Sequence, residues 1–389
     1  MKIADFKLEK WLNPLDPLAK HNLGASCVKA LHMDELFELI GEDEDEFYEK
    51  ELKNMSLHYG HFFGMERLLV ALSKLYRDVK PSEILTAHGG TGANNLVITE
   101  IVEPGSNVVA FIPNYQQHYS IPESLGAEVR YLWLKEENKY LPDLNELKGL
   151  VDENTKLITI SNPNNPTGSF IKEEMLREIG KIAGSVGAYV LCDEIYRGLD
   201  DDYMASIVDV YDRGIVTSSM SKVFSLAGTR VGWIVAKDKE MYNRLENRRS
   251  YDTICCGPFD ELIAAIAIEN KDKILARSKS IVYTNKKLLD EWLKTQAHLF
   301  CPNESFGTTV LISYDYDIAT EKLCLDIFEE TGLTLCHGDC FEMPKTFRLG
   351  YSMGNAEMFK TGLKVLGDYL KKLENYINFN VSIDEINNK

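Results

Sequence analysis

The feature that most constrains the fold is an alternation of short apolar runs with amphipathic stretches between about residues 83 and 236. The runs with the length and composition of β-strands are Ile84–Thr86, Val108–Phe111, Val129–Leu134, Lys156–Ile160, Tyr189–Cys192, Ile215–Thr217 and Val231–Ala236. Between several of them the apolar residues are spaced for one face of a helix, as at Ala93, Leu96, Val97 and Ile101. This alternation predicts an α/β fold with a mainly parallel central sheet sandwiched by helices.

From about residue 280 onward the pattern changes. A helix near Ile281–Leu293 and a last helix near Met358–Leu373 enclose strand-like runs at Thr309–Ser313, Leu333–Cys336 and Phe347–Tyr351. A chain of 389 residues is longer than one simple core supports. We therefore expect an N-terminal segment, residues 1–45, that joins the small domain, a large domain over residues 46–280, and a smaller α+β domain over residues 281–389. The polar tail Asn378–Lys389 is expected at the periphery.

Charge and cysteine content exclude several classes of protein. A formal net charge of −17 argues against nucleic acid or an anionic membrane as the main partner. The eight cysteines contain no CxxC pair, which favours reduced thiols over a disulfide framework or a zinc site. His58, His61 and Glu66 lack a further ligand of suitable spacing, so no metal site is predicted. Since no signal peptide or membrane-spanning run is evident, we expect a cytoplasmic protein.

Polar side chains directly follow three of the predicted strands. The segment 161–168 (SNPNNPTG) follows the first of them, Asp193 and Tyr196 follow the second, and the segment 218–222 (SSMSK) follows the third. In open parallel sheets, ligands bind beyond the carboxyl ends of the strands. These groups together offer an amide, a carboxylate, a phenol, hydroxyls and an amine, which is the inventory of an active site.

The segment 88–93 (HGGTGA) leaves a predicted strand and enters a predicted helix. Glycines allow the backbone to approach an anion closely, and a helix start supplies unpaired N–H donors. Taken alone, this loop fits a structural turn as well as a phosphate-binding loop, because it lacks the Walker lysine and the complete dinucleotide fingerprint.

Together these segments resemble the class I/II aminotransferases, which are fold-type I pyridoxal-phosphate enzymes. The resemblance extends from Tyr59 to Arg348, and its strongest parts are Asn162–Gly168, Asp193–Tyr196 and Ser219–Arg230. The order and spacing of the polar residues in these parts follow the family pattern. The resemblance implies pyridoxal 5′-phosphate as the cofactor and an amino acid and a 2-oxo acid as substrates.

The resemblance also implies the catalytic roles. Lys222 would hold the cofactor aldehyde as a Schiff base and, once released, would move the proton of the substrate α-carbon. Asp193 would pair with the pyridine nitrogen and keep it protonated. Tyr196 and Asn165 would donate hydrogen bonds to the phenolic oxygen of the ring.

Further residues would hold the rest of the cofactor. The phosphate would lie against Gly90, Thr91 and Gly92 of the glycine-containing loop and against Ser219 and Arg230, whose planar fork binds phosphate oxygens in pairs.

Two tyrosines complete the cofactor site that the resemblance implies. Tyr115 would stack on the cofactor ring. Tyr59 would reach the phosphate of a neighbouring subunit, so the resemblance implies a homodimer with shared active sites.

The substrate side is less defined. By resemblance Arg348 would bind the α-carboxylate, with Asn165 and Gly24 beside it, and closure of the small domain would bring Arg348 over the substrate. A free α-carboxylate is all that Arg348 specifies. For a second substrate carboxylate, Arg248 and Arg249 are candidates only by their proximity to the domain boundary.

Several reactions remain open on this scaffold. The main hypothesis is transamination between an amino acid and a 2-oxo acid. A narrower likeness to the capreomycidine synthase-like enzymes, at Leu8–Leu12 and Thr86–Gly90, leaves a cyclase open, and the scaffold also supports cystathionine β-lyase-like elimination and decarboxylation.

Two other classes of protein fit less well. Non-catalytic, cofactor-sensing regulatory modules occur fused to DNA-binding domains. We expect too little chain before residue 45 for a winged helix, and the net charge of this chain is unsuited to DNA. A nicotinamide dehydrogenase would need a glycine fingerprint and a downstream acidic residue that the sequence lacks.

Overall fold

A computed structural model describes residues 2–387, and side chains as far as residue 376. The helices are α1 (Lys7–Leu15), α2 (Met33–Ile40), α3 (Glu44–Phe47), α4 (Glu66–Ser73), α5 (Gly89–Ile101), α6 (Gln117–Ser124), α7 (Leu144–Leu150), α8 (Glu173–Ser185), α9 (Lys239–Ser250), α10 (Pro258–Glu269), α11 (Lys271–Leu293), α12 (Thr320–Thr331) and α13 (Ala356–Asn387). The strands are β1 (His21–Asn22), β2 (Ile84–His88), β3 (Asn107–Ile112), β4 (Glu128–Trp133), β5 (Thr155–Ser161), β6 (Tyr189–Asp193), β7 (Gly214–Ser219), β8 (Val231–Ala236), β9 (Leu299–Phe300), β10 (Thr309–Tyr314), β11 (Leu333–Thr334), β12 (Cys336–His337) and β13 (Thr346–Gly350). Within this part of the chain, no helix is both long and apolar enough to cross a bilayer.

The central sheet has seven strands in the order β2-β8-β7-β6-β5-β3-β4. It contains every strand predicted between residues 83 and 236, so the predicted α/β fold is confirmed. The five strands from β7 to β4 run parallel, whereas β8 is antiparallel to both of its neighbours. The chain turns back into β8 because the connection, residues 220–230, contains only a short 3-10 helix, and a parallel crossover usually needs a full helix.

Helices cover both faces of this sheet. Adjacent residues of β6 show the two-sided burial: Val190 joins the core packed under α8 and α10, and Leu191 joins the core packed under α5 and α9. Both side chains are fully buried, as expected for alternate faces of a strand that is covered on both sides.

A second, antiparallel sheet has the order β12-β13-β10-β9. The predicted strand Leu333–Cys336 is divided: β11 pairs in parallel with β1, and β12 pairs with β13. The N-terminal segment therefore lies against the C-terminal part of the chain, where α1 also contacts β12. The helix α11 runs across residue 280, and the domain boundaries at residues 45 and 280 stay a prediction.

The last helix is longer than the pattern predicts. The backbone of α13 continues to Asn387 and so includes most of the predicted tail Asn378–Lys389. The expected peripheral position of this tail depends on side chains that lie outside the described residues, as do residues 388 and 389 themselves.

A close backbone contact joins the end of β13 to the N-terminal segment. The Gly350 N–H donates a hydrogen bond to the Leu23 carbonyl oxygen at 2.7 Å. A Cβ atom at position 350 would lie 1.7 Å from the Ala25 carbonyl oxygen, a distance that no side chain tolerates. Only glycine therefore permits this approach.

We predict that Gly350→Ala lowers the free energy of unfolding by about 1–3 kcal/mol, because the N-terminal segment must move away from β13. Denaturant unfolding of the two proteins would measure the difference. The matched control is Gly149→Ala in α7, where no atom lies within 4 Å of the added methyl group. This control is expected to be neutral or stabilising by up to about 1 kcal/mol. Equal stabilities of both variants would contradict the prediction.

Candidate active site

A cavity of about 430 Å³ lies beyond the carboxyl ends of β5, β6 and β7. The sequence-predicted residues that line it are Gly90, Thr91, Tyr115, Asn165, Asp193, Tyr196, Lys222, Arg230 and Arg348. They come from six separate segments of the chain. Five of these segments follow strands that end at the same edge of the central sheet, and the sixth, which carries Arg348, is β13 of the second sheet.

Lys222 follows β7 and faces the N-terminal segment across the cavity. Its Nζ donates a hydrogen bond to Ser26 Oγ at 2.9 Å and lies 3.4 Å from Cys27 Sγ. Desolvation opposes the positive charge, but Cys27 and Tyr196 outweigh it and raise the pKa of Lys222 to about 12. The free amine is therefore protonated at neutral pH and must lose a proton before it can act as a nucleophile.

Asp193 ends β6 and is 5% exposed. Its Oδ2 accepts a hydrogen bond from Asn94 Nδ2 at 2.8 Å, and its Oδ1 accepts one from the Ile195 N–H at 3.1 Å. Asn94 is held in turn by the Thr217 hydroxyl, which donates to Asn94 Oδ1 at 2.5 Å. A buried carboxylate held mainly by neutral donors favours a cationic partner from the cavity.

A further polar group lies beneath Asp193. The buried His118 ring has its Nε2 3.7 Å from Asp193 Oδ2, and neither ring nitrogen has a hydrogen-bond partner within the described residues.

The start of α5 forms an anion-binding corner with Arg230. Gly89 begins the helix with φ +67°, and a Cβ atom there would lie 2.7 Å from Arg230 Nη2. Glycine thus lets the guanidinium reach the helix start. The unpaired N–H groups of the first turn, the helix dipole and the guanidinium all favour an anion at this corner.

Two serines beside this corner, Ser219 and Ser221, differ in whether they line the cavity. Ser219 is fully buried, and its hydroxyl lies 2.5 Å from the Ser221 hydroxyl. Ser221 lines the cavity, whereas the predicted Ser219 does not. Gly92, also predicted, lies in the first turn of α5 without lining the cavity.

Arg348 lies on β13 and is 1% exposed. Its Nη1 donates a hydrogen bond to Asn165 Oδ1 at 3.0 Å, and its Nη2 donates one to the Gly24 carbonyl oxygen at 2.6 Å. Its Nε has no hydrogen-bond partner, and within the described residues no carboxylate lies within 4 Å of the guanidinium. A buried cation without an anion is costly, so the cavity is suited to an anionic ligand at this point.

Some predicted residues lie outside the cavity. Gly24 contributes only through its carbonyl contact with Arg348, and Tyr59 is 65% exposed on the surface. Arg249 is buried and donates hydrogen bonds to the Phe62 carbonyl oxygen and to Thr86 Oγ1, and Arg248 is exposed on α9. Neither arginine lines the cavity, so neither is placed to bind a substrate there.

One wall of the cavity, which we call the α1 wall, was not predicted from the sequence. Glu9 and Asn13 of α1 and Asp16, the residue that caps its C-terminal end, line the cavity, while Leu8 and Leu12 of the helix are buried. The separations of four and three residues between these polar side chains place them along one helix face, and that periodicity is the signal that could have revealed them.

The two carboxylates of this wall have neutral partners. Glu9 Oε1 accepts a hydrogen bond from the Tyr115 hydroxyl at 3.2 Å, and Asp16 Oδ1 accepts one from Asn22 Nδ2 at 3.3 Å. Desolvation raises the pKa of Asp16, although Asn22 and Arg348 act in the opposite direction.

The polar groups of the cavity fit pyridoxal phosphate. An amine at Lys222, a carboxylate at Asp193 and an anion-binding corner at the start of α5 correspond to the aldehyde, the ring nitrogen and the phosphate of this cofactor. The buried Arg348, which has no carboxylate within 4 Å among the described residues, leaves a further position for an anion.

The chain is similar over most of its length to proteins of a known enzyme family. The sequence pattern of the family described as aminotransferase class I and II matches residues 27–366. A PLP-dependent aminotransferase structure from Streptococcus suis is 38% identical with a TM-score of 0.92, and the match covers 96% of this chain and 99% of that one. Capreomycidine synthase of Streptomyces vinaceus is 26% identical over 93% of each chain. Aspartate aminotransferase of Thermotoga maritima is 26% identical over 78% of this chain and 77% of that one.

These matches confirm the predicted fold type and the predicted cofactor, pyridoxal 5′-phosphate. The match to the family pattern spans the seven-stranded and four-stranded sheets and most of the cavity lining, from Cys27 to α13, but does not include α1. The chain therefore belongs to the aminotransferase class I and II family.

Proposed function

We propose that this protein is an aminotransferase that moves an amino group between an amino acid and a 2-oxo acid. The observation that carries the proposal is the convergence on one cavity of the Lys222 amine, the Asp193 carboxylate and the anion-free Arg348 guanidinium. Bound pyridoxal phosphate supplies an electron sink that allows bonds at the α-carbon of an amino acid to break. The tasks of binding, orientation and proton transfer fall to the protein's own residues.

Lys222 has two tasks in this proposal. Its amine attaches the cofactor covalently and, once free, removes and returns the proton of the substrate α-carbon. The hydrogen bond from Nζ to Ser26 Oγ orients the amine toward the N-terminal side of the cavity. Because its pKa of about 12 keeps the amine protonated, loss of a proton must precede attachment.

The remaining cofactor contacts follow from the lining residues. Asp193 would hold the ring nitrogen, Asn165 and Tyr196 would hold the phenolic oxygen, and Tyr115 would lie against the ring. Gly90, Thr91, Ser221 and Arg230 would hold the phosphate at the start of α5. In this scheme Ser219 supports Ser221 through their hydroxyl contact.

Arg348 binds the substrate α-carboxylate. Its Nε is the donor left unused in the described structure, and its hydrogen bond to Asn165 links the carboxylate site to the cofactor site. A planar guanidinium binds a carboxylate through paired hydrogen bonds, which orients the α-carbon as well as holding it.

A second candidate reaction is cyclisation or elimination on the same cofactor. Its support is the relative capreomycidine synthase, which matches a larger share of the chain than the aspartate aminotransferase does, 93% against 78%. Both candidates would use the same cavity residues to hold the cofactor and would diverge after the α-proton is lost.

A shared dimer interface completes the proposal. Leu57, Tyr59, Phe62 and Tyr251 are 95%, 65%, 58% and 87% exposed. The two segments that carry them touch, since a Cβ atom at Gly60 would lie 2.5 Å from the Cys256 carbonyl oxygen. A contiguous exposed apolar surface of this kind favours a protein partner, and we assign it to a second copy whose Tyr59 completes the phosphate site.

The cysteines support a location for the protein. All eight are free thiols, which fits a reducing compartment, and we propose the cytoplasm.

The proposed reaction predicts a single-turnover half-reaction. Cofactor-loaded protein mixed with one amino acid and no acceptor should form one equivalent of the matching 2-oxo acid and one of aminated cofactor, measured by mass spectrometry. Lys222→Ala should form neither at a comparable rate, while Lys148→Ala, which removes an exposed lysine of α7, should behave as the parent. Repeated release of ammonia or of a cyclised product would instead support the second candidate, and repeated release of carbon dioxide would mean decarboxylation.

The support of Asp193 by Asn94 predicts a cofactor-binding defect. Asn94→Ala removes the 2.8 Å hydrogen bond to the carboxylate, so the dissociation constant for pyridoxal phosphate should rise about tenfold, the effect of losing one hydrogen bond to a charged group. Equilibrium dialysis with absorbance detection would measure it. The control Asn95→Ala alters the neighbouring residue of the same helix, which does not line the cavity, and should leave binding unchanged.

The exposed apolar surface predicts a concentration-dependent dimer. Tyr251→Asp should weaken dimerisation at least about tenfold in sedimentation equilibrium, because it places a charge in the proposed interface. The control Tyr376→Asp alters a tyrosine of similar type on α13 that is 66% exposed. A fully active monomer of the parent protein would contradict both the interface and the role given to Tyr59.

A further inference from the structure

The α1 wall of the cavity, formed by Glu9, Asn13 and Asp16, has no task in the proposed reaction. Glu9 and Asp16 are two helical turns apart, which corresponds to roughly 10 Å along the helix. Two carboxylates thus extend along one side of a cavity that must also hold the substrate side chain.

These carboxylates are not neutralised by the lysines of their own helix. Lys7 pairs with Glu342 and Lys10 pairs with Asp5, each at 2.5 Å. Within the described residues, no cationic side chain lies within 4 Å of Glu9 or Asp16. Among the described residues, their side-chain hydrogen bonds come from the Tyr115 hydroxyl and the Asn22 amide. The α1 wall therefore presents carboxylates to the cavity without a directly paired cation in this part of the chain, and Arg348 acts on Asp16 only from beyond 4 Å.

Arg348 provides an independent indication of the ligand. Its guanidinium is nine-tenths or more buried, lines the same cavity, and has an Nε without a partner. The other lining cations, Lys222 and Arg230, are committed to the cofactor in the proposed function. As far as the described residues line it, the cavity thus offers one uncommitted cationic site, Arg348, and an anionic wall, which is the charge pattern complementary to an amino acid with a cationic side chain.

We propose that the amino donor carries a long cationic side chain, either an ammonium or a guanidinium, and that Glu9 and Asp16 bind it. The inference rests on the proposed function, in which Arg348 holds the α-carboxylate. A substrate with a second carboxylate would face two like charges and no free arginine in the cavity. A neutral side chain would leave both carboxylates without a counterion.

The first test compares isosteric amino acids on the unaltered, cofactor-loaded protein. L-arginine and L-citrulline have nearly the same shape, but only arginine carries a side-chain charge. Isothermal titration calorimetry should show arginine or L-ornithine binding at least about tenfold more tightly than citrulline, and L-aspartate binding most weakly. Equal affinity for arginine, ornithine and citrulline would overturn the inference, whether or not any variant folds.

The second test uses Glu9→Gln and Asp16→Asn. Each should weaken binding of the preferred cationic amino acid by about tenfold to a hundredfold, the usual effect of losing a charged hydrogen bond, and change citrulline binding less than about twofold. Glu44→Gln removes an exposed carboxylate of α3 outside the cavity and is the matched control. Equal losses for arginine and citrulline in the two variants would mean that the wall has a structural role only.

The same samples separate this inference from the proposed function. If a cationic amino acid binds with this preference but gives no 2-oxo acid, the substrate class holds and the aminotransferase proposal fails. If neutral amino acids are converted as well as cationic ones, the aminotransferase proposal holds and the substrate class fails.

Discussion

Two hydrogen bonds of the buried Arg348 guanidinium join three distant parts of the chain. They run from β13 to the Gly24 carbonyl oxygen in the N-terminal segment and to Asn165, which follows β5 of the central sheet. Both acceptors are neutral, so the charge is held in position without being neutralised. That arrangement costs stability, and it leaves the full electrostatic attraction available to a ligand that brings its own anion.

The N-terminal segment is the second element of this junction. Its backbone accepts hydrogen bonds from Gly350 N–H at Leu23 and from the Thr308 and Ser352 hydroxyls at Ser26 and Cys27. The Val28 N–H in turn donates to the Lys222 carbonyl oxygen. The segment therefore positions both the neighbours of the Lys222 amine and, through β1, the helix α1. The helix α1 is also joined to the large sheet, because the Lys7 N–H donates a hydrogen bond to Gln116 Oε1 at 2.8 Å.

The central sheet could be predicted almost completely from sequence because its strands are buried on both faces. Such strands form continuous apolar runs, and each predicted run lies inside or within about two residues of an observed strand. The direction of β8 and the division of Leu333–Cys336 could not be predicted in the same way. Both depend on which strand pairs with which neighbour, and the pattern of apolar residues does not determine that pairing.

The candidate site shows the same limit. Residues at strand ends, such as Asp193 and Lys222, were predictable because topology places those ends together. Asn94 and the α1 wall were missed because they lie on helices, and only the folded chain shows which helix face meets the cavity. Arg249 was predicted as a substrate-binding candidate only because it lies near a domain boundary in the sequence. That position gave no information about its burial, and the side chain instead donates hydrogen bonds to Phe62 and Thr86.

The α1 wall also bears on which reaction follows loss of the α-proton. Cyclisation requires the substrate side chain to fold back toward its own carbon skeleton. A cationic group bound by Glu9 and Asp16 would hold the side chain extended along α1, between the wall and the carboxylate site at Arg348. In the proposed scheme, such anchoring at both ends would restrict the reacting carbon to partners that are already fixed in the cavity, and the Lys222 amine would return the proton. An extended, doubly anchored substrate would therefore favour transamination over ring closure, so that the charges proposed to select the donor would also select the reaction.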